Sequence, residues 1–366
     1  MPMTYCRLAL ILLVPAALVL AVACSSLGYY GQAIGGQLKL LHQRQSIEAL
    51  LLDNDTEPRL KDQLQQVQQI RSFALYDLHL PENDSYSTYA ETGREAVVWN
   101  VIAAPADSLA PQTWCYPVAG CVPYRGYFKQ ENANKFAARL AGKGLDIAIS
   151  PATAYSTLGW FDDPLLDTML RYADYRLAGV IFHELAHQRL YLKGDATFNE
   201  SFASAVERAG IEAWIEKHGD EAQKTRWLEY RNRQVDFNAL LSRTRQKLQK
   251  LYQFGAGQAT MAGQKAAIFA ELRLEYEGLK ATWNNYSGYD GWIARKLNNA
   301  HFALHATYEN GTAEFECLFR QNNADFEAFY AAATEISQWE QELRSAWLSA
   351  QDNDPSHCTS EESVPL

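Results

Sequence analysis

Apolar positions along the chain follow two periods. From Gln37 to about Ile70 they recur at helical spacing, with Leu38, Leu40, Leu41, Ile47, Leu50 and Leu51 predicting one helical stretch. "EAVVWNVIAAP" is rich in β-branched residues and reads as a strand, as does "LDIAIS". Between them "ENANKFAARLAGKG" has helical spacing and a glycine stop, and "STLGWFDDP" is a turn-rich loop ending at Pro164. Helical patterning then dominates. "LLDTMLRYADYRLAGVIFHELAHQRLYLKG" predicts one long helix ended by Gly194, and "NESFASAVERAGIEAWIEKHG" the next. Phe237, Leu241, Leu248 and Tyr252 mark a further helix, and Ile268, Leu272, Tyr276 and Leu279 its neighbour, with "FGAGQ" between them. Over about 220–283 this predicts an antiparallel helical hairpin. A last helical region runs from about Arg295 to Leu348. The expected fold class is α+β and predominantly helical, with an early small sheet and a long helical hairpin.

Composition narrows the function without choosing it. At 366 residues and 48% hydrophobic content the chain can bury a large core, and we read 24–352 as a single domain. The polar tail 353–366, "NDPSHCTSEESVPL", reads as lacking fixed structure. A formal charge of -10 with no basic block argues against a nucleic-acid partner. The absence of a glycine-rich phosphate loop argues against a nucleotide, and the absence of G-x-S-x-G against a serine hydrolase.

The N-terminus changes the expected compartment. After Arg7 comes an apolar run from Leu8 to Ala23, interrupted by Pro15; it is short for a spanning helix but suits a secretory signal over residues 1–23. "LAVAC" resembles the lipobox of bacterial lipoproteins, which implies that Cys24 becomes a lipidated first residue. The alternative is an ordinary signal peptide with an incidental cysteine. By analogy with lipoprotein sorting, Ser25 points to the outer membrane, facing the periplasm. An oxidising compartment permits disulfides, and "WCYPVAGC" makes Cys115–Cys121 the natural pair, while a Cys317–Cys358 pairing is left open.

The chemistry sits in "VIFHELAHQRL". His183 and His187 are four apart, so on a helix they lie about 40° apart and can hold one ion between them. Glu184 is offset from His183 by about 100°, placed to take a proton from water without ligating. This division of labour explains H-E-x-x-H as a zinc-hydrolase motif. A bare H-x3-H is more often a surface pair; the intervening glutamate and the segment that follows reverse that reading.

A catalytic zinc needs a third protein ligand and an open position. "HELAH", a short turn and then "NESFA" resemble the gluzincin metallopeptidases, whose third ligand is a glutamate in an N-E-x-x-A stretch of the next helix. By that resemblance His183, His187 and Glu200 bind one Zn2+ in a zincin-like domain, and Glu184 activates the water. Glu200 has an alternative role as a helix-terminal anion. Glu207 is either the competing carboxylate or a support for the ligands. More widely, "YYGQAIGGQLKLL", "TWCYPVAGCVPYRGYF", "AYSTLGWFDDPLL" and "HELAHQRLYLKGDATFNESFA" are similar to a family of bacterial lipoproteins whose zinc aminopeptidase activity is itself inferred.

The resemblance also calls for an oxyanion donor, for which Tyr308, His301 and His305 are candidates, the His301/His305 pair reading otherwise as structural or surface histidines. An aminopeptidase must also hold a free α-amine, and Asp162 and Asp163 are candidates unless they only cap the next helix. Arg125 reads as a solvated loop charge or a substrate contact. The expected function is a lipid-anchored zinc peptidase of the cell envelope acting on peptides, with aminopeptidase the preferred subtype. An envelope endopeptidase or quality-control protease, and a zinc-stabilised binding module without turnover, are the alternatives.

Overall fold

The computed structural model describes residues 28–349 except 117, 118, 173, 255–257 and 310, and not the side chains of 174, 258, 259, 304 and 306–309. The signal segment, Cys24 and the tail 353–366 therefore lie outside the described residues.

The stretch predicted as helical over Gln37–Ile70 is built from three helices: α1 (28–42), α2 (Ile47–Leu52) and α3 (Pro58–Tyr76), with the two-residue strand β1 (Gln45–Ser46) between the first two. Local hydrogen bonds break the run. The Ser46 hydroxyl accepts from the Ala49 N–H and caps α2, the Asp53 carboxylate accepts from the Asp55 N–H, and Pro58 opens α3. β1 pairs antiparallel with β2 (Thr88–Ala90), which pairs in parallel with β8 (Leu165–Leu166).

A second sheet carries β3 (Val98–Pro105) between β6 (Arg125–Tyr127) and β7 (Leu145–Ala152), both antiparallel to it. Its run of apolar residues is explained by burial on both faces. Val101 and Ala103 pack on α4 (Gln130–Ala141) through Phe136, Ala137 and Leu140, whereas Ile102 and Ala148 meet Ala300 on α10 (Asn299–Glu309). Beside this sheet, β4 (Trp114–Tyr116) and β5 (Gly120–Val122) form a hairpin closed by the Cys115–Cys121 disulfide. Cys317 is also disulfide-bonded.

The predicted long helix over 165–194 is shorter than its periodicity suggests. β8 and a 3-10 turn (Met169–Arg171) take its first part, α5 is Asp174–Arg189, and a turn leads to α6 (Ala196–His218). α5 and α6 run antiparallel at the centre of the main core, where Phe182, Phe198, Phe202 and Val206 are fully buried. Gly179 and Gly210 let them approach. A methyl group at Gly179 would lie 2.5 Å from the Ile211 side chain, and one at Gly210 2.7 Å from the Phe182 ring. α7 (Glu221–Phe254) and α8 (Gln258–Thr282) form the expected hairpin. Contacts between Asp236 and Trp283, Arg243 and Glu275, and Lys247 and Glu271 fix its antiparallel register. It has its own core, built from Phe237, Leu241, Leu248, Leu272 and Tyr276. After the single turn α9 (Asp290–Ile293), the C-terminal helical region divides into α10, α11 (Thr312–Gln321), α12 (Phe326–Ser337) and α13 (Gln341–Leu348). The chain is mostly helical with small sheets, an α+β fold.

Candidate metal centre

α5 buries Leu177, Ala178, Ile181, Phe182, Leu185 and Ala186, leaving one strip at four-residue spacing for Gly179, His183 and His187. That strip faces Glu200 and Glu207 on α6, seven residues apart and so on one side of their helix. His183 Nε2 lies 3.4 Å from Glu200 Oε2, and His187 Nε2 lies 3.8 Å from the same oxygen. The two imidazole rings stand nearly perpendicular with centroids 4.9 Å apart. One ligand atom from each of His183, His187 and Glu200 lies within 4.8 Å of the other two, and among the described residues this is the one such group that could hold a metal ion. Donors about 2.1 Å from a tetrahedral zinc would be about 3.4 Å apart, so the closest pair already has that spacing and the others are slightly open.

The other nitrogen of His183 is also engaged: Nδ1 is 3.1 Å from Glu207 Oε2. Burial alone would lower the His183 pKa, but Glu200 and Glu207 on its two nitrogens drive it well above the ordinary value. The carboxylates thus create a field that favours positive charge, as a cation site requires. His187 has the opposite fate. Burial lowers its pKa to about 4, keeping it in the neutral form that ligates metals. Its Nδ1 is buried with no hydrogen bond among the described residues. Glu184 is partly buried and pushed up to about 7, chiefly by burial, with Glu200 among the nearby carboxylates that add to the shift. A carboxyl so poised exchanges protons near neutrality.

The turn between the helices sets Glu200 in place. Asp195 caps α6 by accepting from the Phe198 N–H, and Arg344 from α13 holds that carboxylate through Nε and Nη2 at 3.1 and 2.9 Å. Asn199 clamps the turn, its amide accepting from the Leu192 N–H at 2.7 Å and donating to the Leu192 carbonyl at 2.8 Å. Glu200 is therefore no helix cap: Asp195 has that role, and the Glu200 carboxylate is turned toward the imidazoles.

A cavity of about 950 Å³ opens over this group, lined by His183, Glu184, His187, Glu200 and Glu207 on one side. Asp162 and Asp163 do not line it. Asp163 is buried and accepts from the Thr157 N–H, and burial raises its pKa to about 6; Asp162 is exposed and its carbonyl accepts from Arg44. Both belong to the loop's own architecture. His301 and His305 also lie off the cavity, bonded to Asn298 and Asn238. The Tyr308 side chain is outside the described residues. Arg125 is not a solvated charge, because its guanidinium sits 4.0 Å from the Tyr29 ring centroid and 4.8 Å from that of Phe136.

The sequence reading missed Tyr124. It lines the cavity, and burial raises its pKa, with further contributions from Glu200, Tyr191 and Glu184. Its position follows from the disulfide hairpin, which docks on the α5–α6 turn: the Ala119 carbonyl accepts from the Tyr191 hydroxyl and from the Gly194 N–H. The signal was a tyrosine three residues after the disulfide's Cys121, a short tether to a fixed point.

Fold and site together define a class: a helical α+β protein with a His-His-Glu group that could hold a metal ion beneath a large cavity. A family model described as "putative aminopeptidase" matches residues 28–348, and the chain belongs to that family. No curated protein and no solved structure matches the chain.

Proposed function

We propose that the protein is a zinc-dependent peptidase, with aminopeptidase its subtype. The observation that carries this reading is the meeting of His183, His187 and Glu200 within 4.8 Å, with Glu184 beside them on the same cavity. Two imidazoles and a carboxylate suit a borderline-soft divalent ion and are a ligand set of catalytic zinc sites, and Glu184 beside them is the base that such a hydrolytic zinc site uses. When bound, the ion polarises the scissile carbonyl and makes nearby water more acidic.

The chain's own groups do the rest. Glu184 accepts a proton from the attacking water and returns it to the leaving amine. Glu207 accepts the Nδ1–H of His183, which fixes the tautomer and leaves Nε2 its lone pair. Burial keeps His187 unprotonated at neutral pH. The Tyr124 hydroxyl, neutral at any physiological pH, donates to the oxygen on which charge develops. Glu207 is also the one carboxylate lining the cavity, among the described residues, that is left to face a substrate α-amine once Glu184 and Glu200 are assigned.

We place the protein in the cell envelope, exported by residues 1–23 and anchored through lipid on Cys24 at the outer membrane. The Cys115–Cys121 disulfide supports an oxidising compartment.

Metal analysis of the purified protein and of Glu184→Gln, with both assayed on an unbiased peptide mixture, tests the mechanism. The variant is expected to keep its metal and lose about 100- to 10,000-fold in cleavage rate. Undiminished cleavage would refute the role of Glu184. Peptides with a blocked amino terminus separate the subtypes: internal cleavage of such a substrate would replace aminopeptidase by endopeptidase.

A further inference from the structure

We infer that α1 and the loop over 156–161 are the two lips of the substrate entrance, and that they select peptides with a large apolar side chain beside the bond to be cut. The inference rests on the peptidase reading above.

Tyr30, Ile34 and Leu38 are four apart on α1 and form one stripe. Ile34 and Leu38 are 59% and 60% exposed, and in the 156–161 loop Trp160 and Phe161 are 68% and 51% exposed. All five line the cavity that has the His183–Glu184–His187–Glu200 group on its wall. Isolated exposed apolar residues are ordinary, but two exposed apolar sets lining one cavity mark a binding surface.

α1 is fastened in place. The Gln32 amide accepts from the Phe128 N–H at 3.1 Å and donates to the Gly126 carbonyl at 3.4 Å, filling the free edge of β6. Gly36 packs so closely on Phe128 that a methyl group there would meet the ring at 2.3 Å. Tyr29 packs against Tyr116 at a tilt and against Tyr127 edge to face, and takes the Arg125 guanidinium on its face. The lips are linked as well, because Arg44, just beyond α1, donates to the Asp162 carbonyl at 3.1 Å. The exposed stripe is thus held over the site by structure on its other side, as a wall would be.

Charge distinguishes a peptide side chain from a bilayer as the occupant. Bilayer-seeking surfaces surround apolar residues with many lysines and arginines, whereas the cations beside this stripe are Lys39 and Arg44, which donates to the Asp162 carbonyl, and the one lining the cavity, among the described residues, is Arg208, paired with Glu316. A leucine or phenylalanine side chain entering between the lips would remove apolar surface from water on both partners, and loss of such contacts costs roughly tenfold or more in selectivity.

The test is equilibrium binding and turnover of a peptide pair differing only in the residue beside the scissile bond, phenylalanine against glycine. Binding is measured on Glu184→Gln, so it reads the lips whether or not turnover occurs. Wild-type lips are expected to favour the phenylalanine peptide by about tenfold or more. Ile34→Asp/Leu38→Asp and, separately, Trp160→Ala/Phe161→Ala should collapse that preference, through KM in the active enzyme, with metal content unchanged. These positions are exposed, so folding tolerates the changes, and the two lips are tested independently. No preference in the parent, or a preference that survives both variants, overturns the inference. So does an unaltered preference accompanied by weaker binding to phosphatidylglycerol vesicles, which would make the lips a membrane surface. Intact preference in binding with no cleavage of any peptide would instead remove the peptidase reading alone.

Discussion

The chain contains two histidine pairs at four-residue spacing, His183/His187 on α5 and His301/His305 on α10, and they serve different ends. The first pair faces Glu200 and Glu207 across a glycine-lined helix contact. The second is dispersed: His301 bonds Asn298 and packs against Trp292, while His305 bonds Asn238 on α7. Spacing puts two imidazoles on one helix face in either case. The surroundings decide the rest: the first pair meets carboxylates from the opposite helix that favour a cation, whereas the second meets amides, one just before its own helix and one on α7, that satisfy a polar group.

The largest expected contrast comes from paired substitutions. His183→Gln/His187→Gln should abolish stoichiometric metal binding and peptide cleavage, whereas His301→Gln/His305→Gln should leave both intact. Metal content and peptide turnover read the difference, and loss of metal from the second variant would erase the distinction.

The next effect belongs to the second pair and concerns stability. Burial, and then Arg295, lower the His301 pKa from 6.5 to about 4. The folded protein therefore binds fewer protons here than the unfolded chain between these values. His301 supports the fold fully above pH 6.5, and that support declines as pH falls towards 4, by up to about 3 kcal/mol. Urea unfolding across this window, with metal chelated throughout, should show a steeper acid loss in the wild type than in His301→Gln. Parallel curves would contradict the assignment.

The smallest effect sharpens the first pair. Glu207→Gln keeps the three proposed ligands but weakens the hold on the His183 Nδ1–H, and should lower metal affinity or activity by about 10- to 100-fold. A chelator competition measures it. A variant with wild-type affinity and activity would reduce Glu207 to a bystander.

Much of the site was legible because it is local. The relation among His183, Glu184 and His187 follows from one helical turn, and their orientation toward α6 from the apolar face that α5 must bury. Glu200 was reached through resemblance, not periodicity, and its position owes much to Asn199 and Arg344, whose parts in the turn no spacing rule reveals. The long helix predicted over 165–194 failed for a related reason. Apolar spacing cannot tell a helix from the short strand β8 when that strand is fully buried by β2. Arg125 looked like a free charge because its partners, a cluster of rings, assemble only on folding. Asp163, read as an amine-binding group or a cap of the next helix, instead accepts from the Thr157 N–H of the preceding turn.

By itself, then, the sequence determined what one element can decide: helical registers, the α7–α8 hairpin, the short disulfide loop and the facing of two imidazoles with a carboxylate between. Tertiary structure alone decided what needs distant segments to meet. It put Glu207 on the far nitrogen of His183, Tyr124 over the site and α1 along the cavity's edge. The physical reason is range. Backbone periodicity is fixed within a few residues, whereas the environment that sets a side chain's charge and access is built by chain segments that only packing brings together.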